Sequence, residues 1–256
     1  MQPSLTRRAA LTGSTAVVLT ACGAHAQNAK GGAQAPAATA PPVTTAPIPP
    51  AFGPTRTVAP LPFAATALKG ISERLITSHH DNNYAGAVKN LNATHEQIAK
   101  LPKDAPAFVL GALLDKALNF GNSATLHELY FDNLGGAGGP PPAALSAPLD
   151  AAYGSASAWQ DHFAKAAAAL GGGSGWVVLG LDLHGGALTT YAATSHAGAL
   201  AAVAPLLVLD MYEHAYQMDY GAAAAKYIEA FFANVGWEKV AERLERAKKA
   251  AAALRG

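Results

Sequence analysis

The sequence predicts an α+β protein, helices first and then a small antiparallel sheet of about three strands with further helices around it. Three observations point there. Apolar residues recur at helical spacing through residues 66–92 and again through 106–131. Past Gly175 the period changes to that of strands. Between the two halves, Gly135-Gly136-Ala137-Gly138-Gly139-Pro140-Pro141-Pro142 interrupts all regular structure. That run divides the folded part into 60–139 and 140–256.

The first 59 residues read as address and tether. Arg7 and Arg8, in Thr6-Arg7-Arg8-Ala9-Ala10-Leu11, form a twin-arginine export pattern, and an apolar stretch from Ala9 to Ala21 follows. Leu19-Thr20-Ala21-Cys22 looks like a lipobox, which would make 1–22 a signal peptide and Cys22 the lipidated N-terminus. The alternative is cleavage after Ala24-His25-Ala26, discarding Cys22. Either route sends the protein to the periplasm or cell envelope, and twin-arginine routing suggests folding or metal uptake before export. Residues 23–59 hold few large side chains. Nine of the chain's 17 prolines lie between Pro36 and Pro62, so this stretch reads as a semi-extended linker.

The elements follow in order. Leu68, Ile71, Leu75, Tyr84, Val88 and Leu91 mark a first helical stripe, and His79 falls on it. A second tract begins after Pro106, is expected to bend near Gly121, and resumes with Phe120, Ala124, His127 and Phe131 on one face. Ala156 to Leu170 is a third. Trp176–Leu181 and Leu188–Ala193 read as strands around an Asp182–Gly186 turn, and Leu206–Leu209 as a short buried strand stopping at Asp210. Tyr227 to Leu254 reads as one closing helix, cationic near its end. Trp159, Trp176 and Trp237 are assigned to the core, His80, His95 and His162 to exposed helix faces, and His184 to a turn.

Composition excludes several classes. The net charge is +1 with 14% charged residues, which offers no global basic field for nucleic acid. A single cysteine excludes a disulfide framework and Cys-based zinc or iron–sulfur sites. Gly171-Gly172-Gly173 lacks the Gly-Lys-Ser/Thr of a phosphate loop.

The chemistry gathers on three histidines and one aspartate. His79 and His127 point inward from different helices, and an ionised Asp210 at the end of a buried strand is costly without a partner or metal. His214 follows four residues later. Three imidazoles and a carboxylate suit iron, manganese or zinc, whereas calcium prefers oxygen alone.

These blocks resemble the iron/manganese superoxide dismutases. The likeness runs from Pro60-Leu61-Pro62-Phe63 through His79-His80-Asp81, Asn90-Leu91-Asn92, His127-Glu128-Leu129-Tyr130-Phe131 and Gly173-Ser174-Gly175-Trp176. It ends with Asp210-Met211-Tyr212-Glu213-His214-Ala215-Tyr216 and Val235-Gly236-Trp237. It implies an N-terminal helical hairpin domain and a C-terminal α/β domain sharing one iron or manganese, with manganese slightly favoured, held by His79, His127, Asp210 and His214. The implied reaction converts superoxide to oxygen and hydrogen peroxide. The implied assembly is a homodimer in which Glu213 pairs with the partner's His214.

Other positions depart from the family pattern. The family's entrance tyrosine falls on Ala87, and its histidine one turn earlier on Asn83. The tyrosine bridging to that histidine across the dimer falls on Gln217, so an Asn–Gln pair could replace His–Tyr. The glutamine beside metal-bound solvent has Ser123 or His196 as its counterpart, and His196 is expected to take that place. A basic residue falls on Ala224, and the flanking tryptophans become Phe131 and Tyr212. Such neighbours tune a metal centre. Two other functions fit less of the pattern: a metal-binding or interaction lipoprotein with weak or no turnover, and a zinc hydrolase.

Overall fold

A computed structural model describes residues 55–256. The expected signal peptide, Cys22 and most of the linker lie outside the described residues.

The first helical stripe is real, but its middle is not α-helical. Ser72 caps α1 (Glu73–Ser78), its hydroxyl accepting from the Leu75 amide. His79–Tyr84 forms a π-helical turn, and α2 (Ala85–Ala99) continues from it. The extra residue per turn explains the step of five between His79 and Tyr84 in a stripe otherwise spaced by three and four. It also corrects the reading of His80. That residue is 9% exposed rather than on the surface, its two ring nitrogens bonded to Asp81 Oδ1 and the Ala59 carbonyl. His95 is half-buried rather than on an exposed face.

The second tract, α3 (Ala107–Asn133), runs unbroken for 27 residues. The expected bend at Gly121 is absent. A glycine costs a helix about 1 kcal/mol relative to alanine, and here packing on α2 outweighs it, with Leu91 beside the Gly121 position. The C-terminal half of α3 is buried and carries Ser123, His127, Tyr130 and Phe131.

After the glycine-rich run comes α4 (Ala143–Tyr153), which sequence reading missed because Pro148 lies inside it. Leu145 and Leu149, one turn apart and fully buried, hold it in place. Next is α5 (Ala156–Ala168), capped by Ser155. The sheet consists of β1 (Trp176–Asp182), β2 (Leu188–Ala193) and β3 (Val203–Asp210), in the order β2-β1-β3, all antiparallel. β3 starts three residues before the expected Leu206. Its Pro205 pairs with Gly180 beside a bulge, a site where a strand tolerates proline.

Two short helices, α6 (Gln217–Tyr220) and α7 (Ala224–Phe232), and the longer α8 (Trp237–Arg255) close the chain around the site and the core. The single closing helix expected from 227 to 254 is therefore two. Asn234 breaks it, its side chain bonded to both backbone groups of Lys69 and to the Ala230 carbonyl. Gly136 crosses this break so closely that a Cβ there would meet the Gly236 backbone at 2.4 Å. Hydrogen bonds from the Gly136 amide to Asn234 and from the Gly236 amide to Asn133 tie the loop down. The three tryptophans lie in the core as expected, His162 is exposed on α5, and His184 sits in the β1–β2 turn. Among the described residues no helix is long and apolar enough to cross a membrane.

Candidate metal centre

Four elements deliver four side chains to one point. The π-turn supplies His79, the buried half of α3 supplies His127, the last residue of β3 is Asp210, and a 3-10 turn (Glu213–Ala215) carries His214. Antiparallel pairing sets Asp210 opposite Trp176 on β1. His79, His127 and Asp210 are buried, and His214 keeps a quarter of its side chain exposed. One ligand atom from each of the four lies within 4.8 Å of all the others.

The centre of the arrangement is a single carboxylate oxygen. Asp210 Oδ2 stands 3.0 Å from His79 Nε2, 3.2 Å from His214 Nε2 and 3.5 Å from His127 Nε2. Its other oxygen accepts from the Tyr212 amide at 2.8 Å, which fixes the carboxylate's orientation. Burial alone would raise the Asp210 pKa. Hydrogen bonds from His214 and His79, reinforced by their charge, outweigh it and hold the carboxyl well below the usual range. For His79 and His127 burial dominates in the opposite sense. It lowers the pKa of His79 against the pull of Asp210, and pushes that of His127 down to about 3 with help from the neighbouring His79.

His127 shows what the cluster is built to receive. Its Nδ1 lies 2.7 Å from the Ser123 carbonyl, one turn back on α3, and must carry the proton to make that bond. The neutral ring then turns a bare lone pair at Nε2 toward Asp210, and that buried atom has no hydrogen-bond partner. Two electron-rich atoms facing each other in a dry interior repel unless a cation lies between them. The spacings agree, because atoms bound to one ion at about 2.0–2.2 Å stand roughly 3–3.5 Å apart. The donor set therefore fits a metal ion. His79 Nδ1 is the other buried nitrogen without a partner.

Aromatic rings wall the site. His79 contacts Tyr130 and Phe131 at centroid distances of 5.0 and 5.1 Å, and Trp176 meets His127 edge-on at 5.0 Å. Tyr212 stacks on His214 at 5.4 Å. His196 stacks on Tyr212 at 4.6 Å, and its Nδ1 accepts from the Trp176 indole at 2.9 Å. That bond places the imidazole proton on Nε2. A cavity of about 240 Å³ opens beside these groups, lined by Asn82, Asn83, Asn90, Asn119, Ala87, Ser123, His127, His196 and His214. Asn83 is thus at the site, half-buried, whereas Glu213 and Gln217 are exposed. Sequence reading did not single out Tyr130 or the Trp176–His196 bond. Tyr130 stands three residues past His127 on the same helical face, a signal that could have found it; the pairing of Trp176 with His196 spans 20 residues of loop and strand and left none.

An α-hairpin, a three-stranded sheet and a buried centre of three imidazoles and one carboxylate together define a mononuclear metal enzyme of mixed nitrogen–oxygen ligation. Comparison with known proteins makes this specific. Residues 56–135 match the alpha-hairpin domain of iron/manganese superoxide dismutases, and residues 141–243 match the C-terminal domain. A "Superoxide dismutase [Fe]" of Cupriavidus metallidurans is 47% identical over 189 residues, covering 73% of this chain and 95% of the relative. "Superoxide dismutase [Mn] 1" of Halobacterium salinarum is 38% identical over 192 residues, covering 73% and 94%. A "Superoxide dismutase [Fe]" of Aquifex pyrophilus is 34% identical over 198 residues, covering 73% and 91%. The chain belongs to the iron/manganese superoxide dismutase family. Its activity is the conversion of superoxide to oxygen and hydrogen peroxide, and the cofactor that fits is iron or manganese.

Proposed function

We propose that His79, His127, Asp210 and His214 hold the iron or manganese at which superoxide is dismutated. The observation that carries this reading is the unpartnered, inward-facing Nε2 of His127, 3.5 Å from the Asp210 carboxylate. Held there, the metal would supply the one-electron couple that dismutation needs. Everything else falls to the protein. Ser123 orients His127 through its carbonyl, and the Tyr212 amide orients Asp210. Phe131, Tyr212 and the buried Trp176 keep bulk water from the ligands. His196 lines the cavity and serves there as a hydrogen-bond donor through Nε2, burial lowering its pKa and favouring the neutral ring. The small Ser123 and the imidazole of His196, in place of a glutamine, incline the choice toward manganese.

Metal analysis of Asp210→Asn is the test. This variant keeps the side chain's shape and removes its charge, so the native protein should bind about one iron or manganese per chain and the variant should lose it. Full metal occupancy in Asp210→Asn would contradict the assignment.

Assembly and location extend the same reading. The chain forms a homodimer in which exposed Glu213 pairs with the partner's His214, with Asn83 and Gln217 meeting across the same face; the exposure of Glu213 and Gln217 and the place of Asn83 and His214 in the cavity lining support this. The twin arginines and the lipobox at Cys22 support export to the periplasm or cell envelope on a lipid anchor. Radiolabelled fatty acid should enter the full-length chain and be absent from Cys22→Ser; a label that persists would refute the anchor.

A further inference from the structure

Behind the His79 side of the site, tyrosines form a continuous series that leads outward. The Tyr130 ring lies 5.0 Å from the His79 ring, and its hydroxyl oxygen is 3.1 Å from that of Tyr227. Tyr227 also donates toward the Asp210 carbonyl at 2.9 Å and stacks on Tyr216 at 5.4 Å. The Tyr220 ring lies 6.2 Å from that of Tyr227, and its hydroxyl donates to the Gly70 carbonyl at the surface. Tyr130 and Tyr227 are fully buried, and Tyr220 is half-exposed.

Packing alone does not call for phenols here. A buried hydroxyl needs a partner, and phenylalanine would fill nearly the same space without that demand. Phe131 and Phe231, whose rings lie 5.3 and 6.2 Å from that of Tyr130, show that plain rings fit this region. What a phenol adds is redox chemistry, because it can give up an electron together with its proton.

We propose that Tyr130, Tyr227 and Tyr220 form an electron route from the molecular surface to the metal site, supplying an electron when hydrogen peroxide, the product of dismutation, reacts there. One peroxide takes up two electrons and two protons to become two waters. One electron comes from the reduced metal, which ends one oxidation step higher. The second comes from Tyr220, which also releases its phenolic proton to water and is left as a neutral phenoxyl radical. The two protons come from solvent, and Tyr220 returns one, so one proton is consumed in all. Along the route the electron passes from Tyr220 to Tyr227 to Tyr130, and the hydroxyl pair at 3.1 Å lets a proton shift with it. The oxidising equivalent ends on a ring that solvent reductants can reach instead of on the histidines. The inference rests on His79 being one of the metal's ligands.

The test adds hydrogen peroxide to the reduced, iron-loaded protein in the presence of a nitroso spin trap and maps the adduct by peptide mass spectrometry. The native chain should carry the adduct on Tyr220. Tyr227→Phe and Tyr130→Phe should lose it there and gain oxidation at His79 or Trp176. If Tyr227→Phe fails to fold, Tyr130→Phe decides, since it removes one hydroxyl and leaves the Tyr227 bond to Asp210 intact. A Tyr220 adduct undiminished in the folded variants would overturn the route by showing direct attack from solvent. So would a native adduct confined to Tyr212 or Trp176. Metal content and dismutation, measured on the same native sample, separate the two possible failures: a metal-loaded, active protein without a Tyr220 adduct defeats the route alone.

Discussion

At the scale of single residues, the decisive feature is a set of imidazole nitrogens whose protons are placed by their hydrogen-bond partners. The Ser123 carbonyl accepts a hydrogen bond from His127 Nδ1, and the Trp176 indole N–H donates one to His196 Nδ1. Removing the second bond by Trp176→Phe frees the His196 tautomer. Activity should fall by about tenfold while the metal stays bound, because an outer partner of this kind orients rather than ligates. Superoxide consumption and metal content on one sample check both halves of that expectation. Proton placement also predicts a pH effect in the metal-free protein. The His127 pKa is lowered on folding, from an ordinary value of 6.5 to about 3, so between those values the unfolded chain binds the extra proton. Stability should be fully present above pH 6.5 and decline as pH falls, by about 1.4 kcal/mol per pH unit for one such histidine. The lowered pKa of His79 acts in the same direction. Denaturant titrations between pH 4.5 and 7, compared with His127→Gln, measure it; a slope unchanged in the variant would contradict the assignment. All four candidate ligands could be read from the sequence, because His79 and His127 lie on apolar faces, Asp210 ends a buried strand and His214 follows it by four residues. The Trp176–His196 bond could not, since loop geometry decides it.

Among the elements, most boundaries follow from local pattern, and the exceptions share a cause: a tertiary contact overriding the local signal. Gly121 looks like a bend and is straightened by packing on α2. Pro148 looks like a stop and is held in helix by Leu145 and Leu149. The run from Tyr227 looks unbroken and is cut by Asn234, whose side chain captures the backbone of Lys69, distant in sequence. The π-turn left a trace, the five-residue step from His79 to Tyr84, that a fixed helical period passes over. The contact between Gly136 and Gly236 gives this level its own prediction. Gly136→Ala places a methyl group against backbone that cannot move aside, which should destabilise the protein by about 1–3 kcal/mol or more. Chemical denaturation measures that loss, and a variant as stable as the native chain would show that the loop does not pack as described.

For the whole molecule, charge and architecture meet at the cavity. From Pro60 onward the net charge is −3, so the protein as a whole does not attract an anion. The cavity mouth offers amides and imidazoles. The rate constant for superoxide should therefore not fall as ionic strength rises, since salt would screen a weak repulsion rather than an attraction. Stopped-flow kinetics from low to physiological salt test this, and a steep fall would reveal a cationic path to the metal. The two halves of the fold make sense only around the shared centre: the helical part brings His79 and His127, and the sheet part brings Asp210 and His214. His127→Ala tests that union most directly. The native protein should hold about one iron or manganese per chain and consume superoxide. The variant should keep its helical circular dichroism yet lose both the tightly bound metal and the activity. A folded His127→Ala that retains metal and dismutes superoxide at the native rate would contradict the account.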